Sequence, residues 1–193
     1  MGGKATKTIK VCLTNRGADR ETPWATDLGP VPGQKGSRRV RLVNVPFLHA
    51  KPTWGDILIV TPVHGQLEWD RAGVAESKIT TRILDDGGRW AMIVEYTPRT
   101  PDEADECFDA LAEACSELEV VCEGAFGPQP GKPGRAYLAV PTGTSATAVM
   151  KALRDVPVKL AQIHPKPPQL AKAPRYARSA SLGASRNRGP GRV

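Results

Sequence analysis

Hydrophobic and polar positions alternate in short bursts through the first half of the chain. In TIKVCLT, Ile9, Val11 and Leu13 share one face, which predicts a strand. The stretch RGADRETPWATDLGPVPGQKG reads as a loop holding a short strand around Trp24, punctuated by Pro30, Pro32, Gly33 and Gly36. RRVRLVNVPF predicts a strand with Val40, Leu42 and Asn44 opposite Arg41, Val43 and Val45, and Pro46 ends it because proline cannot donate to a ladder. DILIVTPV is apolar enough to predict a strand buried on both sides. QLEWD and SKITTRIL predict two more, the latter alternating Ile79, Thr81 and Ile83 against Lys78, Thr80 and Arg82. Asp85 to Gly88, DDGG, reads as a hairpin turn because its glycines accept positive φ. Many short strands joined by turn residues predict a small β-barrel or a curled antiparallel sheet.

Beyond that turn the period changes. RWAMIVEYTP predicts a strand, and TPDE a helix start in which Thr100 caps, Pro101 takes the first helical position and Glu103 closes a capping box. The helix, extending to about Glu119, carries Ala104, Cys107, Phe108, Leu111, Cys115 and Leu118 along one stripe. EVVCEGAF and GRAYLAVPT predict strands around the loop GPQPGKPG. TSATAVMKALRDV predicts a second amphipathic helix with Ala146, Val149, Met150, Leu153 and Val156 in register, and VKLAQIH a last strand. The order β-α-β-β-α-β is that of a ferredoxin-like domain. The expected class is therefore α+β, with a barrel-like domain over residues 1–87, a ferredoxin-like domain over 88–164 and a disordered tail over 165–193.

Charge sharpens this division. Of 27 basic residues, seven lie in the tail: Lys166, Lys172, Arg175, Arg178, Arg186, Arg188 and Arg192. The tail has no acid, so the other 20 bases face all 20 acids and the body is formally neutral. With Tyr176 among the cations, the tail suits sequence-independent contact with nucleic acid or another polyanion. No apolar run approaches the ~20 residues of a membrane span. No secretory h-region precedes the first strand. Gly2 and Thr6 fit the short myristoylation pattern, but the Ala-, Arg-, Gly- and Pro-rich composition is bacterial, and a cytoplasmic setting is expected. Cys12, Cys107, Cys115 and Cys122 lack CxxC spacing and read as buried thiols rather than zinc ligands or disulfides.

VNVPFLHAKPTWGDILIV, preceded by ETPWAT and followed by ESKITTRIL, resembles the bacterial family known as domain of unknown function 4265. Trp24, Pro46, Phe47, Gly55, Asp56 and Arg82 occupy its motif places, whereas Lys78 stands where the family often has glycine. The resemblance covers about residues 20 to 160. It implies a barrel followed by an α/β unit and implies no activity.

The corner between Phe47 and Ile57 offers two readings. Asp56 with His49 nearby would suit acid–base chemistry if the two met. A structural reading gives Gly55 the positive φ and turns Asp56 onto backbone amides. His49, His64 and His164 fall in separate loops or strand ends and would form a metal site only by converging in space, and GPQPGKPGR lacks the strand-to-helix setting and Lys-Ser/Thr ending of a phosphate loop. No cofactor is implied. An RNA-recognition module would stack bases on Trp90, Tyr96 or Tyr137, but the expected Gly-Phe-x-Phe spacing is missing. The first helix, 102–119, carries Glu106, Asp109, Glu113 and Glu117 on one side and no base, a surface for a cationic protein partner or for the tail itself. The expected function is non-enzymatic binding or regulation through the tail. The alternatives are a protein-interaction module with the tail on acidic surfaces, and a small enzyme using Asp56, Arg82 or a histidine between the domains.

Overall fold

The computed structural model describes residues 7–14, 20–70, 83–98, 100, 103–129, 132–156 and 159–164. Arg82, the rest of 71–82 and the whole tail, including Lys166, Lys172, Arg175, Tyr176, Arg178, Arg186, Arg188 and Arg192, lie outside the described residues. The protein is α+β, mostly sheet with two helices among the described residues.

The first sheet contains β1 (Thr8–Lys10), β2 (Cys12–Thr14), β3 (Arg20–Glu21), β4 (Trp24–Pro30), β5 (Arg38–Leu42), β6 (Ile57–Val63), β7 (Gln66–Asp70) and β8 (Ile83–Asp85). Their order is β1-β4-β5-β6-β7-β2-β3, with β8 also on β6. The segment read as one strand is two. β1 pairs antiparallel with β4 and β2 pairs parallel with β7, so only Val11 separates strands seated on different neighbours. A sheet whose far strands are consecutive in the chain has to curl, yet its ladders do not close, which corrects the expectation of a barrel. Val11, Leu13, Ala25, Val40, Leu42, Leu58, Val60, Trp69 and Ile83 fill its concave core.

Two further expectations change, and a third lies mostly beyond test. The loop around Trp24 is a seven-residue strand with an irregularity between Asp27 and Gly29, where Gly29 takes a φ of +107°. β6 is not buried on both sides: Leu58 and Val60 point inward, Ile57 and Ile59 are half-buried, and Thr61 to Val63 are exposed. Most of SKITTRIL falls outside the described residues, leaving Ile83 and Leu84 in β8.

The second sheet comprises β9 (Arg89–Thr97), β10 (Val121–Phe126), β11 (Gly134–Pro141) and β12 (Lys159–His164), with α1 (Ala104–Ser116) after β9 and α2 (Ala146–Arg154) after β11. Its order is β10-β11-β9-β12, and every neighbouring pair is antiparallel. DDGG therefore turns but makes no hairpin, because β8 pairs with β6 and β9 opens the other sheet. Met92, Val94, Tyr96, Ala136, Leu138 and Val140 face the helices, where they meet Cys107, Leu111, Cys115, Val149, Leu153 and Val156. Ile93, Tyr137 and Ala139 face the other way, onto Val45 and the partly buried Phe47 and Trp54 of the β5–β6 corner. The two central strands are thus covered on both faces.

At α1 the capping box is not made: Glu103 sits at the cap position without a side-chain cap bond, and its N–H reaches Thr100 O at 3.3 Å in a turn. α2 is capped through Ser145, whose Oγ accepts from Ala148 N at 3.1 Å.

Candidate functional site

The corner is a knot of backbone amides around one carboxylate. Gly55 takes a φ of +86°, the left-handed region that glycine enters without cost from a Cβ. Asp56 is fully buried; its Oδ2 accepts from Thr53 N at 2.7 Å and its Oδ1 from Gly87 N at 2.8 Å. Lys51 Nζ lies 3.2 Å from Asp56 Oδ1 and 3.0 Å from Asp86 Oδ1. Burial pushes the Asp56 carboxyl above its ordinary value, while the Lys51 ammonium and the two amides pull it back. His49 is buried as well. It lines a cavity on the second sheet with Pro46, Phe47, Met92, Ile93 and Tyr137. A water centre has about 10 Å³ there, roughly what one molecule needs and too little for an organic substrate. Pro46 and Phe47 are packing residues of this junction, with the Phe47 and Tyr137 rings 4.6 Å apart.

Two carboxylates that sequence reasoning missed lie beside the corner. Glu21 Oε1 accepts from Phe47 N at 2.6 Å and its Oε2 from Leu48 N at 3.0 Å, so one side chain satisfies two adjacent loop amides. Burial raises its pKa to about 7; the two amides oppose the shift and Glu123 adds to it. Burial also raises Glu123, whose Oε2 accepts from Asn44 Nδ2 at 3.1 Å. Asn44 Oδ1 in turn accepts from Trp24 N at 2.8 Å, joining β4 to β10 through one amide side chain. Beside them Arg135 is paired with Glu95, and burial lifts the Tyr137 hydroxyl pKa. The arrangement can hold a proton near neutral pH between the sheets. A lone glutamate before a proline-containing turn carries no sequence signal for this role.

Tyr96 and Tyr137 are buried and Trp90 is partly buried, its Nε1 donating to Thr144 O at 3.3 Å, so these rings offer no open stacking surface. Trp24 differs: the residue is 40% exposed. On α1, Glu106, Asp109, Glu113 and Glu117 are all exposed. The cysteines are free, and Cys12, Cys107 and Cys115 are buried. Among the described residues no helix is long and apolar enough to cross a membrane, and no three His, Cys, Asp or Glu side chains converge as metal ligands.

No family model matches the chain, and no curated protein matches it. Among solved structures it is similar to a hypothetical protein from Neisseria gonorrhoeae, at 8% identity and a TM-score of 0.44, covering 85% of this chain and 96% of that one.

Proposed function

We propose that this is a non-enzymatic binding protein of bacterial, cytoplasmic type, in which a basic tail contacts nucleic acid or another polyanion. The observation that carries the reading is the partition of charge: the segment after His164 holds seven cations and no acid, and everything before it is neutral. Phosphate neutralisation by such an arm releases counterions and needs no folded reader. The body is read as a member of the domain of unknown function 4265 family, divided near residues 87 and 164. Its second half is read as ferredoxin-like, a reading that the order β10-β11-β9-β12 supports. With about five phosphate contacts, log K against log salt has a slope of roughly −3.5 on single strands. The test is replacement of the tail cations by glutamine in the full chain; undiminished nucleic-acid binding would refute the tail's role.

The exposed acids Glu106, Asp109, Glu113 and Glu117 favour a second reading, in which α1 receives a cationic protein or the chain's own tail. Neutralising the tail separates the two. It abolishes nucleic-acid binding in the first reading and leaves it unchanged or stronger in the second.

A further inference from the structure

We propose that the outer face of the first sheet is a platform for single-stranded nucleic acid, built on Trp24 with Lys10, Arg39 and Arg41 around it. The proposal rests on the polyanion-binding reading and places a second contact on the folded body.

Strand register puts these side chains together. Ala25 stands opposite Leu42 and Asp27 opposite Val40, and the buried Ala25, Val40 and Leu42 define the inner face. Period-two alternation then sends Trp24, Thr26, Arg39 and Arg41 outward. Lys10 is paired with Trp24, Thr26 with Arg41, Arg41 with Ile57 and Arg39 with Ile59. Trp24 is thus one strand across and two residues along from Arg41, and Arg39 lies a further ~7 Å along β5. Lys10 Nζ sits over the Trp24 ring, 4.9 Å from its centroid, so a cation borders one face of the indole and leaves the other for a base.

Two features separate this face from an ordinary solvated one. Arg39 and Arg41 are exposed and have no carboxylate partner among the described residues, whereas Arg38 at the start of the same strand is paired with Asp27, Arg20 with Glu68 and Arg135 with Glu95. Trp24 is exposed, while Trp69 is buried and Trp54 is half-buried. Bare arginines beside a solvent-facing indole match the two needs of a single strand, backbone neutralisation and a surface on which an unpaired base stacks. In a duplex the bases stack on one another and leave the indole no partner. An acidic protein would use the arginines and ignore the ring.

The test uses the full chain and labelled oligo(dT), followed by anisotropy and tryptophan emission across a salt series. Trp24→Ala is expected to weaken binding about 10-fold or more. Trp24→Phe keeps the stacking ring, so it retains most of the affinity while losing the binding-induced emission change. Arg39→Gln with Arg41→Gln lowers the magnitude of the salt slope by about 1.4. Surface substitutions of this kind leave the unfolding midpoint in place, which is measured alongside. Binding unaffected by all three variants but lost when the tail cations are neutralised would overturn the platform and leave the tail reading intact. Retention on tail neutralisation with loss in Trp24→Ala supports the platform and sinks the tail. Absence of oligo(dT) binding by the full chain overturns both. Equal competition by polyglutamate, insensitive to Trp24→Ala, would assign the face to an acidic protein and overturn the proposal.

Discussion

The carboxylate of Asp56 accepts the amide hydrogen of Gly87 at 2.8 Å, tying the corner after β5 to the crossover between the two sheets. The contact requires glycine. A Cβ at position 87 would lie 2.6 Å from the Gly55 carbonyl carbon and 2.9 Å from Asp56 N, both backbone atoms that cannot swing away. Gly87→Ala should destabilise the fold by about 1–3 kcal/mol through this overlap. Equilibrium denaturation measures it, and a neutral result would show that the crossover does not rest on the corner.

Asp56→Ala should cost more, about 2–5 kcal/mol, because it leaves the Thr53 and Gly87 amides unpaired and Lys51 with Asp86 alone. Lys51→Met with Asp56→Ala should recover only part of that loss, since the Thr53 and Gly87 amides stay unpaired. Full recovery in the double variant would show that the ion pair, and not the amide bonding, matters.

Stability should fall as pH rises through neutrality. Glu21 has a raised folded pKa of about 7 against an ordinary 4.5, so folding takes up a proton between these values. Its contribution is fully present below about pH 4.5 and is lost as pH passes 7, by about 3 kcal/mol. Raised Glu123 and Asp56 add the same sign, while lowered Asp27 acts in the opposite sense below pH 3.8, outside the window. Denaturant midpoints from pH 5 to 8 should decline in the parent and flatten in Glu21→Gln. Parallel curves would remove Glu21 as the source.

Leu111 on α1 is buried, whereas Leu118, in the turn that follows the helix's end at Ser116, is only partly so. Leu111→Ala should cost about 2–5 kcal/mol and Leu118→Ala distinctly less, because a site at the rim can relax into solvent. Cys107 and Cys115 should resist thiol reagents until unfolding. Equal costs, or rapid labelling of both thiols, would mean that the helix presents another face.

Periodicity made most elements legible in the sequence. Val40 and Leu42 marked the inner face of β5, and Cys107, Leu111 and Cys115 marked that of α1, because burial imposes period two or 3.6 on side-chain choice. Pairing was less legible. DDGG specifies that the chain turns, but glycine chemistry is indifferent to whether the following strand returns to the same sheet. TIKVCLT shows one alternating run since a change of partner at Val11 leaves the inward positions unaltered. The corner's Gly55 and Asp56 could be read locally, as their partners Thr53 and Lys51 are near in sequence. Glu21 could not, since its amides belong to Phe47 and Leu48 and nothing at position 21 announces them.

The split seating of the amino-terminal run also orders the folding reaction. β5 and β6 are nearby hairpin partners, and β6 and β7 meet across a two-residue turn, so those ladders form at small loop-closure cost. β2 has to wait, since Cys12 stands opposite Glu68 in a parallel ladder that exists only after β7 is made. Pairing over such a separation is slow. During synthesis this run emerges ahead of every strand it will join, and it is seated late, as the strap that fastens a sheet already assembled.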